Sequence, residues 1–225
     1  MFRHFDKIDD YTKGYIAALL AMQKQIYGAD LIERALTGEI IDKIRVSAPM
    51  YASGDGLEDD AWIFSKYFIS RELTKIERNE LLVSLSQKLK VTLYTHEPTP
   101  ELQFVDNRGP IDYFAEMPLA IKCAKINLNI SLRSIVTGIP LRVMDIFGCG
   151  GFVLTDYRAD MNDIFVPKVD YDYFENEDDL FEKCAYYLSH EEERKEIAAN
   201  GYAKAKANHT LRKRFDTIDN IVFGE

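Results

Sequence analysis

Residues 126–156 read INLNISLRSIVTGIPLRVMDIFGCGGFVLTD. Ile126 to Ile130 alternates apolar and polar residues, the period of a strand with one buried face, and Ser131 ends it. Gly138 and Pro140 open a helical stretch, because proline is tolerated in a first turn where its missing N–H costs nothing. Gly148, Gly150 and Gly151 close that helix, and Phe152 to Leu154 begins a new buried strand. Strand, loop, helix and strand in that order form the βαβ unit of a doubly wound, Rossmann-like parallel sheet. The fold class is therefore α/β. Such a sheet binds ligands at the C-terminal ends of its strands, where helix N-termini offer free N–H groups to phosphate. The stretch points to a nucleotide or phosphosugar site.

Outward from it, the chain changes character at Lys90. Residues 1–89 read as a mostly helical segment: Tyr11 to Tyr27 with Gly28 as its stop, Ala29 to Val46, Leu57 to Ile69, and Ser70 to Leu89. Residues 90–225 read as the α/β domain. Val91 to Tyr94 is a strand and Thr95 to Arg108, with Pro98 and Pro100, a loop. Gly109 to Phe114 holds a short extended piece. Glu116 to Ala124 is a helix with Pro118 in its first turn. After Asp156 come a short helix within Arg158 to Phe165 and a strand near Val169 to Tyr173. Asp178 to Ser189, Glu191 to Ala207 and Thr210 to Val222 close the chain as helices.

Composition narrows the class. A 225-residue chain that is 47% hydrophobic has ample material for a core. Its 28 basic and 37 acidic residues give a formal charge of −9, and no Lys/Arg-rich block supplies the basic face of a nucleic-acid binder. Lys204, Lys206 and Arg212 to Arg214 read as a solvated helix face. Cys123, Cys149 and Cys184 are odd in number, far apart and set among apolar residues, so they read as small core hydrophobes rather than metal ligands or a disulfide framework. No apolar run reaches the roughly 18 residues of a membrane span, and a cytoplasmic location is the default.

Four constellations can carry chemistry. Thr137 to Arg142 places a helix N-terminus where it can hold a diphosphate. Arg142 adds a guanidinium fork, and Asp145, on the same helical face, can accept hydrogen bonds from ribose hydroxyls. The plainer alternative is a surface ion pair worth a few tenths of a kcal/mol. Gly148 to Gly151 has neither the GxGxxG order nor a following Gly-Lys-Ser/Thr, and reads as a tight helix-to-strand turn. Asn127, Asn129 and Ser131 share one strand face, the last two at its C-terminal mouth. His96 follows the strand VTLYT and faces the same cleft, whereas His209 reads as a helix-entry residue before the N-cap Thr210. No GxSxG or HExxH occurs, and the carboxylate clusters at Asp178 and Glu191 suit the positive ends of helices.

The segment PLRVMDIFGCGGFVLTDY, with FENEDDLFEKCAYYLSHEEERKEIAANGYAKAKANHTLRKR beyond it, resembles the C-terminal domain of the CgeB-like spore-maturation proteins and their relatives among the GT-B, group 1 glycosyltransferases. YTKGYIAALLAMQKQIYG is similar to the helical lead-in of those proteins. The resemblance implies two Rossmann-like domains facing across a cleft, the C-terminal one binding a nucleotide-sugar donor and the N-terminal one an acceptor. Asp145 matches the glutamate that opens the EAMACG stretch of relatives, before its alanine-rich glycine turn, and that binds the donor ribose. Gly138, Arg142 and Gly148 fall in the same donor segment. The implied activity is transfer of a hexose-type sugar from a UDP- or GDP-linked donor to an unidentified acceptor. Arg142 would offset leaving-group charge, while Asn129, Ser131, Thr137, Gly138, Gly148 and His96 line the donor site. No cofactor beyond the donor is implied, and no metal, since nothing resembles a DxD pair placed at a strand end.

Two departures stand out. Thr137 occupies the position of a second glutamate, eight residues before Asp145, and Asp145 is one methylene shorter than glutamate. No N-terminal Rossmann domain is recognisable either, so an acceptor domain is expected as a partner outside this chain. The same departures support an alternative, a non-catalytic GT-B-like scaffold or interaction module.

Overall fold

The computed structural model describes residues 7–26, 29–52, 54, 56 and 58–224. The chain divides into two compact units, Met1–Ser84 with Leu132–Val136, and Leu85–Ser131 with Thr137–Glu225.

The first unit holds α1 (Asp10–Lys24), α2 (Leu31–Ala35), α3 (Gly38–Arg45), α4 (Asp60–Ile63), a π-helical stretch Phe64–Ile69 and most of α5 (Ser70–Ser86). Asp9 caps α1 by accepting from the Thr12 N–H at 2.9 Å. The expected stop at Gly28 lies outside the described residues, as does the expected helix start at Leu57. Buried Gln23 holds the exit of α1: its Nε2 donates to the Ile26 and Ala29 carbonyls, and its Oε1 accepts from the Leu31 N–H. The single helix expected over 29–46 is two helices. Leu36 turns extended (ψ 110), and the Thr37 hydroxyl accepts from the Ile40 N–H to cap α3, a use of threonine that competes with helix continuation. The helix expected through Ile69 begins at Asp60 and widens into the π stretch. Ile16, Ile32, Ile40, Phe64, Ile69 and Leu73 form the centre of this unit's core. Two charge clusters sit beside it. Lys66 pairs with Asp30 and, at 3.1 Å, with Glu33. Arg133 forks onto Glu77 at 2.6 and 2.8 Å, with both side chains 9% exposed.

The second unit runs β1 (Thr92–Leu93), β2 (Asp106–Asn107), α6 (Met117–Cys123), β3 (Asn127–Asn129), α7 (Leu141–Gly148), β4 (Val153–Asp156), α8 (Ala159–Asn162), β5 (Asp172–Phe174), α9 (Glu177–Ser189), α10 (Glu191–Asn208) and α11 (Leu211–Phe223). Every described strand pair is parallel: β1 beside β2, and β3–β4–β5 in that order. The β3–α7–β4 unit expected from the sequence is present. All four residues of β4 are buried, the apolar Val153 and Leu154 followed by Thr155 and Asp156, whose side chains are hydrogen-bonded. Val153 joins Met117, Ile121, Val143, Ile146, Phe147 and Ala205 in one cluster, while the Phe152 ring packs tilted against Tyr187 of α9 with centroids 4.5 Å apart.

Several boundaries move. The helix expected from Gly138 starts at Leu141, because Gly138 is left-handed (φ 92) and Pro140 is extended (ψ 135). The expected turn at Gly148 to Gly151 forms as a Schellman motif: Gly150, with φ 74, donates to the Phe147 carbonyl and Gly151 to that of Ile146. A Cβ on Gly151 would stand 2.6 Å from Asn127 Nδ2 and 2.7 Å from Ile121 Cγ2, so glycine there also permits close packing. The loop expected over 95–108 contains β2, and no strand forms over 109–114, where residues 113–116 make the turn into α6. The last strand starts at Asp172 rather than Val169, after a turn in which Lys168 is left-handed (φ 61). Of the three cysteines only Cys184 is buried, and burial pushes its thiol up to about 11. Cys123 is exposed: Met117 and Ile121, four residues apart, bury one face of α6, and Cys123 lies two residues on, around the helix from it.

Candidate functional site

The C-terminal ends of β3 and β4 carry a buried polar network. Register pairs Asn129 with Thr155, and Asn129 Nδ2 donates to the Thr155 hydroxyl at 2.9 Å and the Ser131 hydroxyl at 3.1 Å. Asp156 Oδ1 accepts from the Ser131 N–H at 2.8 Å and its hydroxyl at 2.7 Å. Its other oxygen pairs with Arg158 Nε at 3.0 Å. Asn129, Ser131, Thr155 and Asp156 are all buried. In low dielectric such a network rigidifies when its members are satisfied. Asn129 and Ser131 therefore stand at the expected strand ends, but they are engaged by protein partners beneath the surface.

The loop that follows is more open. Thr137 and Gly138 are exposed, and the Gly138 N–H donates to the Asp160 carboxylate from α8. On α7, Arg142 and Asp145 meet as their spacing foretold, with Nη1 3.4 Å from Oδ2. The Arg142 side chain is 50% exposed and that of Asp145 21%. Arg142 also reaches the Met117 sulfur and lies 5.9 Å from the centroid of the Tyr113 ring. Tyr113 donates its phenol to Asp145 Oδ1 at 2.6 Å. That hydrogen bond, with some burial, holds the phenol above its ordinary range. Neighbouring Cys149 is likewise held protonated to higher pH by burial and by the Asp145 charge.

Arg142 and Asp145 are thus brought together, with Thr137 and Gly138 in the loop that leads into their helix. Gly148 lies at the far end of α7, about 10 Å along the axis at 1.5 Å per residue. His96 is exposed in the bend after β1, in the two-stranded pair rather than the β3–β4–β5 sheet. Sequence reasoning missed Tyr113, Asp156, Arg158 and Asp160. For Asp156 a signal existed, since it ends a strand that was recognised and such ends collect functional groups. His209 is the C-cap of α10, and Thr210 caps α11 as expected. Among the described residues, no group of three His, Cys, Asp or Glu side chains is placed to hold a metal ion, and no helix is long and apolar enough to cross a membrane.

A family model described as glycosyl transferase-like matches residues 77–220, well over half of the chain, including both strand ends, α7 and the Tyr113 turn. No curated protein matches the sequence.

Proposed function

The chain belongs to the glycosyl transferase-like family, and we propose that residues 90–225 are the donor-binding half of a CgeB-like enzyme of the GT-B type. Family membership supports glycosyl transfer, and with it a sugar donor and an acceptor. The finer reading is a doubly wound, Rossmann-like domain that takes a UDP- or GDP-linked sugar and passes a hexose-type sugar to the acceptor. An acceptor-binding domain completes the scheme. No further cofactor and no metal enter this scheme. Three free thiols suit a reducing, cytoplasmic compartment.

One observation carries the reading: α7 presents a half-exposed Arg142 beside a partly exposed Asp145, inside the βαβ unit that the family match spans. As a surface ion pair the two would add only a few tenths of a kcal/mol. As a site they are complementary to a nucleoside diphosphate. The guanidinium suits phosphate oxygens and offsets the charge that grows on the leaving diphosphate. The carboxylate suits ribose hydroxyls. Thr137 and Gly138 present the loop entering the helix, with its N-terminal dipole behind them. Asn129 and Ser131 act from below by fixing the strand ends, while His96 and Gly148 stay in the scheme as donor-lining residues on the family resemblance alone. Calorimetric titration with UDP and GDP tests the scheme. One of the two is expected to bind with micromolar Kd, and Arg142→Ala and Asp145→Ala to weaken it at least tenfold. Parent-like binding by both variants would refute the assigned site. No binding to the parent up to millimolar would refute the donor reading and favour a non-catalytic module.

A further inference from the structure

The donor reading leaves the turn before α6 unused, although it touches the same carboxylate. Asp112 organises that turn: its Oδ1 accepts from the Phe114 N–H at 2.9 Å and the Ala115 N–H at 2.6 Å. Glu116 reaches back to accept from the Asp112 N–H at 3.0 Å. The Asp112 carbonyl accepts from the N–H of buried Met117 at 2.9 Å, which anchors the turn to the core. On this braced turn Phe114 is 86% exposed and Tyr113 46%, the two rings edge to face with centroids 5.0 Å apart. Burial does not explain a phenylalanine so placed, because its ring contributes almost no area to the core.

The Tyr113 phenol has a second consequence. An ionised carboxylate offers about four lone-pair sites. Tyr113 takes one on Oδ1, and Arg142 faces Oδ2. The phenol therefore sets the rotation of the carboxylate and leaves acceptor capacity on a side chain that still reaches solvent. Flat apolar faces, an oriented carboxylate and a half-exposed guanidinium lie on adjoining elements. Those are the groups that a base, a ribose diol and a diphosphate require. Aromatic faces stack on any base, so the turn recognises a nucleoside without selecting which one.

We propose that the Asp112–Glu116 turn is the nucleoside-recognition element of this chain: Tyr113 is a positioning residue that orients Asp145 toward the ribose hydroxyls, and Phe114 offers the face on which the base lies. This rests on the donor reading. The test is titration of the full chain and of Tyr113→Phe and Phe114→Ala with UDP, GDP and their 2′,3′-dideoxy analogues, with thermal melts alongside. Phe114→Ala is expected to weaken ribonucleotide and dideoxy analogue alike by about tenfold, at an unchanged melting temperature. Tyr113→Phe keeps the ring. It is expected to weaken the ribonucleotide about tenfold, close to the parent's affinity for the dideoxy analogue, and to leave the analogue's own affinity unchanged. Parent-like affinities in both variants would overturn the proposal, as would a Tyr113→Phe loss shared by the analogue, the mark of a turn that merely braces α7. A parent that binds neither UDP nor GDP would instead defeat the donor reading, and this proposal with it.

Discussion

Gly201 sits in α10 where that helix passes over Phe147. A Cβ there would lie 2.6 Å from Phe147 Cε1 and would also strike the Asp170 carbonyl. Overpacking of this kind costs about 1–3 kcal/mol, against which alanine's better helix preference returns about 1 kcal/mol. Gly201→Ala is expected to lower the unfolding free energy in urea. Gly148→Ala, with nothing within 4 Å of its Cβ, is expected to raise it by up to about 1 kcal/mol. Equal stabilities for the two variants would refute the close approach. The same contrast explains what the sequence revealed of the site. Arg142 and Asp145 were legible because three residues on a helix share a face whatever else the protein does. Tyr113 was not, because it reaches Asp145 from 32 residues away on a turn with no period to read. Asn129 and Ser131 were placed correctly along the strand, but alternation does not show that Thr155 and Asp156 would claim them.

His209 joins α10 to α11 and shows what an element boundary costs in charge. Its ring stands 5.4 Å from that of Phe165, and its Nδ1 is 3.0 Å from Arg214 Nη2. Burial, then the charges of Arg214 and Lys204, hold the imidazole below its ordinary value of 6.5. The folded state therefore refuses a proton that the unfolded chain accepts. The contribution is complete above about pH 6.5 and is lost as pH falls through the lower, folded value. The melting temperature is expected to drop between pH 7.5 and 5.5, and to drop less in His209→Gln. Identical pH slopes would remove His209 from the account. Among the elements themselves, β3, α7 and β4 were legible because turn chemistry bounds each of them. β2 was not, since Asp106 and Asn107 are two polar residues that pair only because β1 lies beside them. The break between α2 and α3 was hidden for a related reason: one threonine serves equally as a helix residue or as a cap, and local packing decides.

At the scale of the molecule, the first unit is discontinuous. Residues 132–136 belong with residues 1–84, and Arg133 makes the bond that matters there, forked onto buried Glu77 while its backbone N–H donates to the Thr74 hydroxyl at 2.9 Å. Removing one member of a buried pair leaves an uncompensated charge, at about 3–5 kcal/mol, whereas an apolar pair of similar volume is often neutral. Arg133→Ala is expected to lose that much in urea unfolding, and Arg133→Met with Glu77→Leu to regain most of it. A double variant no better than the single would mean that the ion pair is not what residues 132–136 contribute. The discontinuity also sets a timetable for synthesis. When residue 84 leaves the ribosome the helical unit still lacks its closing segment, which follows only after β1, β2, α6 and β3 have been made. At roughly 5–20 residues per second the Glu77 carboxylate waits several seconds for its guanidinium. A nascent chain halted before residue 132 thus carries an unfinished unit, a natural target for chaperones.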